Sequence, residues 1–310
     1  MYLHSVVLHV DVFVSRGFCM VFFLSFAFAE SPSPLNKGVY SLYGSVGYGH
    51  WNQFSNGDVN SSKNISGNIQ NTEIFSSVSI GVTDFMDVSL QIPFRFVWAG
   101  SDAPNTDLFA PTIGIGRMNV GTKILINPEG GFLPFTLSLY SGIRNGSFHS
   151  QYRERMTNLG EGTVDIGTGL LAGKVGFLGT GFFWLEGAGH FWFRQPITTN
   201  TTYPNNEISY SFELGYSFHP NIAFASCTYG YERLGGLDYP TLEKEPSVDD
   251  IDQWAALDAS QIKTGVKLNY YMSDTLTSNI QFLYSVYSKN NPSNEYYVSV
   301  GLNYFHPQSL

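Results

Sequence analysis

Charge is what this sequence most conspicuously lacks. Only 13% of its 310 residues are Asp, Glu, Lys or Arg, against roughly 25% in an average soluble domain, so it is short of the side chains that coat a water-facing surface. Long apolar runs are missing too. The longest spans Phe18 to Ala29, too short for the ~20 residues of a spanning helix, and a mean hydropathy of −0.06 excludes a helical membrane protein. Cysteine is confined to Cys19 and Cys227, and Cys19 falls in a segment expected to be removed, so no internal disulfide is expected. No Cys/His cluster supports a metal, and neither a cofactor nor a nucleic-acid partner is expected for a chain of net charge −9. What is abundant instead is glycine (32), phenylalanine (25) and tyrosine (19). That composition fits strands that are apolar on one face only.

The first 29 residues read as a targeting signal. Arg16 precedes the apolar run Phe18 to Phe28, which ends in Ala27-Phe28-Ala29 ahead of Glu30. This is the positive segment, apolar segment and small-residue cleavage site of a secretory signal peptide. The expected organisation is a signal peptide over 1–29, a periplasmic N-terminal segment over 30–37, a single barrel over 38–305 and a C-terminal tail over 306–310.

The mature chain alternates with period two. Val88, Leu90, Ile92, Phe94, Phe96 and Trp98 alternate with Asp87, Ser89, Gln91 and Arg95; Ile208, Tyr210, Phe212, Leu214, Tyr216 and Phe218 alternate with Ser209, Ser211, Glu213, Gly215 and Ser217. About twelve such segments follow one another. The links between them alternate short and long, as the periplasmic turns and external loops of a bacterial outer-membrane barrel do. A soluble barrel alternates as well, so the faces need a further argument. The polar face is Ser, Gly, Thr and Asn rather than a Lys/Glu coat. Aromatics gather at the strand ends: Trp51, Trp98, Trp192, Tyr210, Tyr231, Tyr287 and Tyr296 on the loop side, and Tyr40, Phe135, Phe182, Tyr216, Phe218, Tyr270 and Tyr304 on the turn side. Two such rows are the interfacial girdles of a membrane barrel. The sequence therefore predicts an all-β, antiparallel transmembrane barrel of about twelve strands in the bacterial outer membrane. Its expected partners are lipid, lipopolysaccharide, the barrel-assembly machinery and a small solute. On the same logic Cys227, which alternates with Ala223, Ala225, Tyr229 and Tyr231 on one face, is expected to point at lipid.

Two stretches carry a family resemblance. Gly81-Val82-Thr83-Asp84 followed by Val88-Ser89-Leu90-Gln91-Ile92-Pro93, and the later Gly114 to Lys123 run GIGRMNVGTK, resemble the "MetA-pathway of phenol degradation" family of barrel transporters. The resemblance implies uptake of small, often aromatic molecules. This chain departs from the family at Arg117, where an Asp usually follows the second Gly. Pro93 breaks the rule that a strand interior needs its N–H, and a local bulge is expected there.

A barrel of this size, with strands ~4.8 Å apart and tilted by ~40°, has a lumen about 10 Å across. Arg95, Lys123, Glu186, His190, Arg194, Glu213, Lys263 and Lys267 are expected to point into it. A charge there is either neutralised by a partner or wetted by a channel, so two readings stay open. One is a constriction with opposed cationic and anionic sectors that filters solutes for passive passage; the other is a salt-bridged plug. A closed structural or adhesive barrel acting through its loops is the alternative function. An outer-membrane hydrolase is a third, but His149-Ser150 has no orienting partner placed beside it, so no enzyme is expected. The loop between Arg233 and Ser260 is acidic around Asp249, Asp250 and Asp252, and Val248, Ile251, Trp254 and Leu257 recur there at helical spacing.

The cleavage-site pattern makes a direct prediction. N-terminal sequencing of membrane-extracted protein is expected to begin at Glu30; a protein that retains the Phe18 to Phe28 segment would contradict it.

Overall fold

A peptide chain in hydrocarbon must satisfy its N–H and C=O groups internally, and alternating strands can do so only by closing on themselves. That is the architecture found. The computed structural model describes residues 31–55, 62–100, 110–145, 163–196, 205–235, 259–289, 292–293 and 295–306. Among the described residues there are fourteen strands in one antiparallel sheet and no helix. In chain order they are β1 (Tyr40–Ser55), β2 (Ser62–Thr83), β3 (Met86–Ala99), β4 (Thr112–Ile115), β5 (Met118–Asn127), β6 (Thr136–Asn145), β7 (Thr163–Leu178), β8 (Gly181–Pro196), β9 (Glu207–His219), β10 (Ile222–Arg233), β11 (Ser260–Tyr271), β12 (Leu276–Lys289), β13 (Pro292–Ser293) and β14 (Tyr296–His306).

Twelve of these positions are barrel staves, as the alternation predicts. β4 and β5 both pair with β3 and make one stave broken at Gly116 and Arg117, while β13 is a two-residue extension against the end of β1. The barrel closes because β1 pairs with β2 on one side and with β14 on the other, in register from Tyr40↔His306 to His50↔Tyr296. The bulge expected at Pro93 lies on its neighbour. The carbonyl of Pro93 accepts from the Gly116 N–H at 2.8 Å. Pro93 has no N–H to return on that edge, and the β4/β5 break falls there.

Connections at one end are tight: 84–85, 179–180 and 220–221 are two-residue turns, with Gly179 at φ 63°. The longer turn over 128–135 is held by Asn127, whose Nδ2 donates to the carbonyls of Pro128 (2.9 Å) and Phe135 (2.6 Å), and whose Oδ1 accepts from the Leu133 N–H (3.2 Å). This end is the turn side; the other, where strands as long as the 22-residue β2 project, is the loop side.

The outward face is apolar from stave to stave. Val46, Ile166 and Val266 are 56%, 56% and 57% exposed, and Ile80, Leu170, Phe212, Phe224, Ile280 and Val300 share their face. Exposed apolar area on this scale marks a surface that meets something other than water; wrapped around a closed barrel, it is the belt that meets lipid. Trp98, Tyr210, Tyr216, Phe218, Tyr296 and Tyr304 stand on this outward face by strand parity, as girdle residues should.

Several aromatics do not. Trp51 and Trp192 are buried inside, 8% and 3% exposed. Phe182 packs against the luminal ring of Trp184 at 5.8 Å, and Tyr231 shares the inward face of β10 with Arg233, whose guanidinium lies 5.8 Å from its ring. Cys227 is likewise inward and fully buried, its Sγ 3.6 Å from Glu213 Oε2. The expectation that it faces lipid is wrong, because Ala223, Ala225 and Cys227 are the small, not the lipid-loving, side of β10. Phe224, 52% exposed, is on the lipid side.

The inward rings lie flat because glycines on adjoining staves make room for them. Trp192 lies over Gly167 and Trp184 over Gly215, each directly opposite in register. Tyr140 covers Gly121 and Gly142, Tyr43 covers Gly301 and Tyr297 covers Gly47. A Cβ at any of these glycines would collide with the ring, so aromatic abundance and glycine abundance are two sides of one packing device.

If Val266 sits at the bilayer midplane, as its central place in β11 requires, Val266→Arg will cost about 2–4 kcal/mol of folding free energy. Reversible unfolding from lipid vesicles measures this, and a loss well under about 1 kcal/mol would place the face elsewhere.

Candidate functional site

Strand parity turns fifteen charged side chains into the barrel among the described residues. The cations are Arg95, Arg117, Lys123, Arg144, Arg194, Arg233, Lys263 and Lys267, and the anions are Glu73, Asp87, Asp165, Glu186, Glu207, Glu213 and Glu295. Eight against seven is close to balance, and the geometry shows why. Opposite charges meet in contact rather than across the lumen.

Four separate pairs make this plain. Arg95 Nε bonds Glu73 Oε2 at 2.5 Å, across β2 and β3. Lys263 Nζ meets Glu295 Oε1 at 2.7 Å, Lys123 Nζ meets Asp87 Oδ2 at 3.2 Å, and Lys267 Nζ meets Glu213 Oε2 at 2.5 Å. The last pair is the most enclosed, with the two side chains 1% and 0% exposed. Glu213 also accepts from Trp184 Nε1 at 2.8 Å on its other oxygen, so both oxygens are engaged.

Glu186 stands apart. It lies directly opposite Glu213 in the β8–β9 register, is 3% exposed, and its Oε2 makes no hydrogen bond among the described residues. Among the described residues Lys267 bonds Glu213 and not Glu186.

At the loop end the pairs merge into a belt. Arg144 Nη2 bridges Asp165 Oδ2 at 3.0 Å and Glu207 Oε1 at 2.8 Å. Arg194 approaches Asp165 at 3.6 Å, Arg233 approaches Glu207 at 4.0 Å, and Arg117 lies 3.8 and 3.9 Å from the same two acids. Under this belt sits Trp192, with the Arg144 guanidinium 3.7 Å from its ring centroid and its Nε1 donating to Ser209 Oγ at 2.9 Å. His190 packs edge-on against Tyr140 at 4.7 Å.

The turn end has a different occupant. Residues 31–37, expected on the periplasmic side, fold up into the barrel mouth. The Ser31 carbonyl accepts from Lys123 Nζ at 2.7 Å, the Pro32 carbonyl accepts from Ser138 Oγ, and the Leu35 N–H donates to Asp87 Oδ2 at 3.0 Å. Lys123 and Asp87 thus form a pair that also anchors a peptide.

All eight lumen residues expected from the sequence are inward: Arg95, Lys123, Glu186, His190, Arg194, Glu213, Lys263 and Lys267. The expected arrangement of facing cationic and anionic sectors gives way to contact pairs. Sequence reasoning passed over Glu73, Asp87, Arg117, Arg144, Asp165, Glu207, Arg233 and Glu295, although strand parity would have found most of them. Arg144, Asp165 and Arg194 are consecutive cross-strand partners. Asp249, Asp250, Asp252 and His149 lie outside the described residues.

No protein-family model matches the chain, and no curated protein matches it. Among solved structures it is similar to the COG4313 outer membrane channel from Pseudomonas putida F1, with a TM-score of 0.64 and 14% identity over 91% of this chain and 100% of that one. The NanC porin aligns at a TM-score of 0.47 and 13% identity over 85% and 98% of the two chains, and the KdgM porin at 0.39 and 11% over 84% and 98%. At such identities the first likeness is one of fold. The chain has the fold of an outer-membrane β-barrel.

The Lys267–Glu213 pair gives a sharp stability prediction. Lys267→Met strands a buried carboxylate and will lower the unfolding free energy by about 3–5 kcal/mol. The double variant with Glu213→Gln will recover most of it. Denaturant unfolding of all four proteins closes the cycle; a single-variant loss under about 1 kcal/mol would show the pair is wet and unimportant.

Proposed function

We propose that this barrel is a channel of the bacterial outer membrane through which small solutes pass passively, narrowed on its periplasmic turn side by its own residues 31–37. The observation that carries this reading is the interior itself. A barrel plugged by its ion pairs would enclose them all, whereas the side chains of Arg95, Lys263 and Arg117 stay 38%, 24% and 22% exposed on the lumen side. This one lines the whole height of its lumen with ionic pairs, from Lys123–Asp87 near the turns to the Arg144 belt near the loops. Such fixed groups tune what passes.

The solute class rests on one support. The resemblance of the β2–β3 turn and the β4–β5 stave to the phenol-degradation transporters favours small aromatic or apolar molecules. Lipid and lipopolysaccharide are the surroundings in this reading, and the barrel-assembly machinery inserts the chain. Catalysis has no part in it: His190 serves in ring packing on Tyr140, and His50 stacks on Tyr296 at 5.0 Å.

Planar-bilayer recording of the refolded protein tests the reading. The full chain is expected to give a small steady conductance, and deletion of residues 31–37 to raise it severalfold by clearing Lys123 and Asp87. Silence from both proteins would contradict the channel.

A further inference from the structure

A carboxylate closed off from water calls for a cation or a donor, and Glu186 has neither on its Oε2 among the described residues. It is 3% exposed. The acid opposite it, Glu213, is satisfied by Lys267 and Trp184. The other cation whose charge reaches Glu186 is Lys123, and its Nζ is bonded to Asp87 and to the Ser31 carbonyl. Lys123 therefore ties residues 31–37 to this part of the wall and leaves the Glu186 oxygen unbonded.

The same segment leads to that oxygen. From Lys37 back to Ser31 it is held by groups on β3, β5 and β6, namely Asp87, Lys123 and Ser138. Pro32 then lies against Gly173 of β7. A Cβ there would stand 2.6 Å from Pro32 Cγ and 3.2 Å from Glu186 Cγ, and Gly173 faces Glu186 directly in the β7–β8 register. Glycine at 173 thus brings the proline and the acid side by side. Covalent geometry keeps the backbone nitrogen of Glu30 within about 9 Å of the Pro32 Cα, a gap that the Glu186 side chain helps to close.

We infer that Glu186 is the binding site for the chain's own α-ammonium, freed at Glu30 when residues 1–29 are removed. A terminal amine is mostly cationic at neutral pH, whereas in the precursor the same nitrogen is an uncharged amide. Removal of the leader therefore supplies the counter-charge and fastens the free end of the 31–37 strap across the turn-side mouth. The inference deepens the channel reading, whose periplasmic narrowing it explains, and it rests on cleavage ahead of Glu30. Its test requires no conduction.

Amine acetylation of the folded, membrane-extracted protein at neutral pH, read by mass spectrometry of its N-terminal peptides, decides it. Lys37, exposed on the same segment, is the internal reference. A free terminal amine is less basic than a lysine and is ordinarily acetylated first; here Lys37 is expected to react first. Glu186→Gln is expected to speed the terminal amine about tenfold, as the loss of one charged hydrogen bond does, and to leave Lys37 unchanged. A carbodiimide needs no variant. On the native chain it is expected to condense the α-amine with the Glu186 carboxyl, forming an amide with loss of water. Absence of that cross-link, a terminal amine that outpaces Lys37 in the native chain, equal rates in native and Glu186→Gln protein, or a mature chain beginning at another residue would each overturn the inference. A silent barrel with a protected terminus would instead remove the channel and keep the ion pair.

Discussion

Hydrocarbon offers no hydrogen-bond partner to a peptide group, and every other feature of this protein follows from meeting that constraint. The ladder closes when β1 pairs with both β2 and β14. Closure at twelve staves fixes the bore, and the bore fixes what the inward side chains must do. Too narrow to be a broad aqueous pore and too wide to be filled by aliphatic side chains, the interior is occupied by rings laid flat over glycines and by charges held in contact. Where the ladder lacks a donor, at Pro93, the neighbouring stave breaks and releases Arg117 into the lumen.

The ionic pairs explain how so many charges persist inside. An isolated charge in this space costs several kcal/mol or more, and a paired one far less. The barrel couples these lysines and arginines to acids, directly across the strand at Arg95–Glu73, Lys123–Asp87 and Arg144–Asp165 and over an intervening stave at Lys267–Glu213 and Lys263–Glu295. Glu186 is the exception, buried opposite Glu213. The residues 31–37 extend the same logic, because a peptide carbonyl on Lys123 and a peptide N–H on Asp87 satisfy groups that the bore would otherwise leave facing each other alone.

Much of this was legible in the sequence. Period-two alternation located the staves, and parity along β3, β8, β9 and β11 put Arg95, Glu186, His190, Arg194, Glu213, Lys263 and Lys267 inside. The errors share one cause. Alternation reads apolar as outward, yet a narrow barrel also packs apolar rings inward, so on hydropathy alone Trp51, Trp192 and Phe182 fall in the girdles and Cys227 on lipid. Small residues such as Ala223 and Ala225 are inward because Trp184 needs their space, a packing fact that no hydropathy pattern carries. Nor does periodicity report which acid meets which base. Cross-strand register does, and it depends on bulges such as those between Ile262 and Lys263 or Leu125 and Asn127.

The central claim is that a lipid-facing apolar wall encloses a polar interior that water and small solutes enter. Spin labels placed singly along β11, in a Cys227→Ala background and in lipid bilayers, test both halves at once. Labels at Ile262, Val266 and Leu268 are expected to collide with membrane-dissolved oxygen, and labels at Lys263, Lys267 and Asn269 with a water-soluble nickel chelate, giving an alternation of period two. Accessibility to oxygen alone at every position, or an alternation of the opposite phase, would contradict the account.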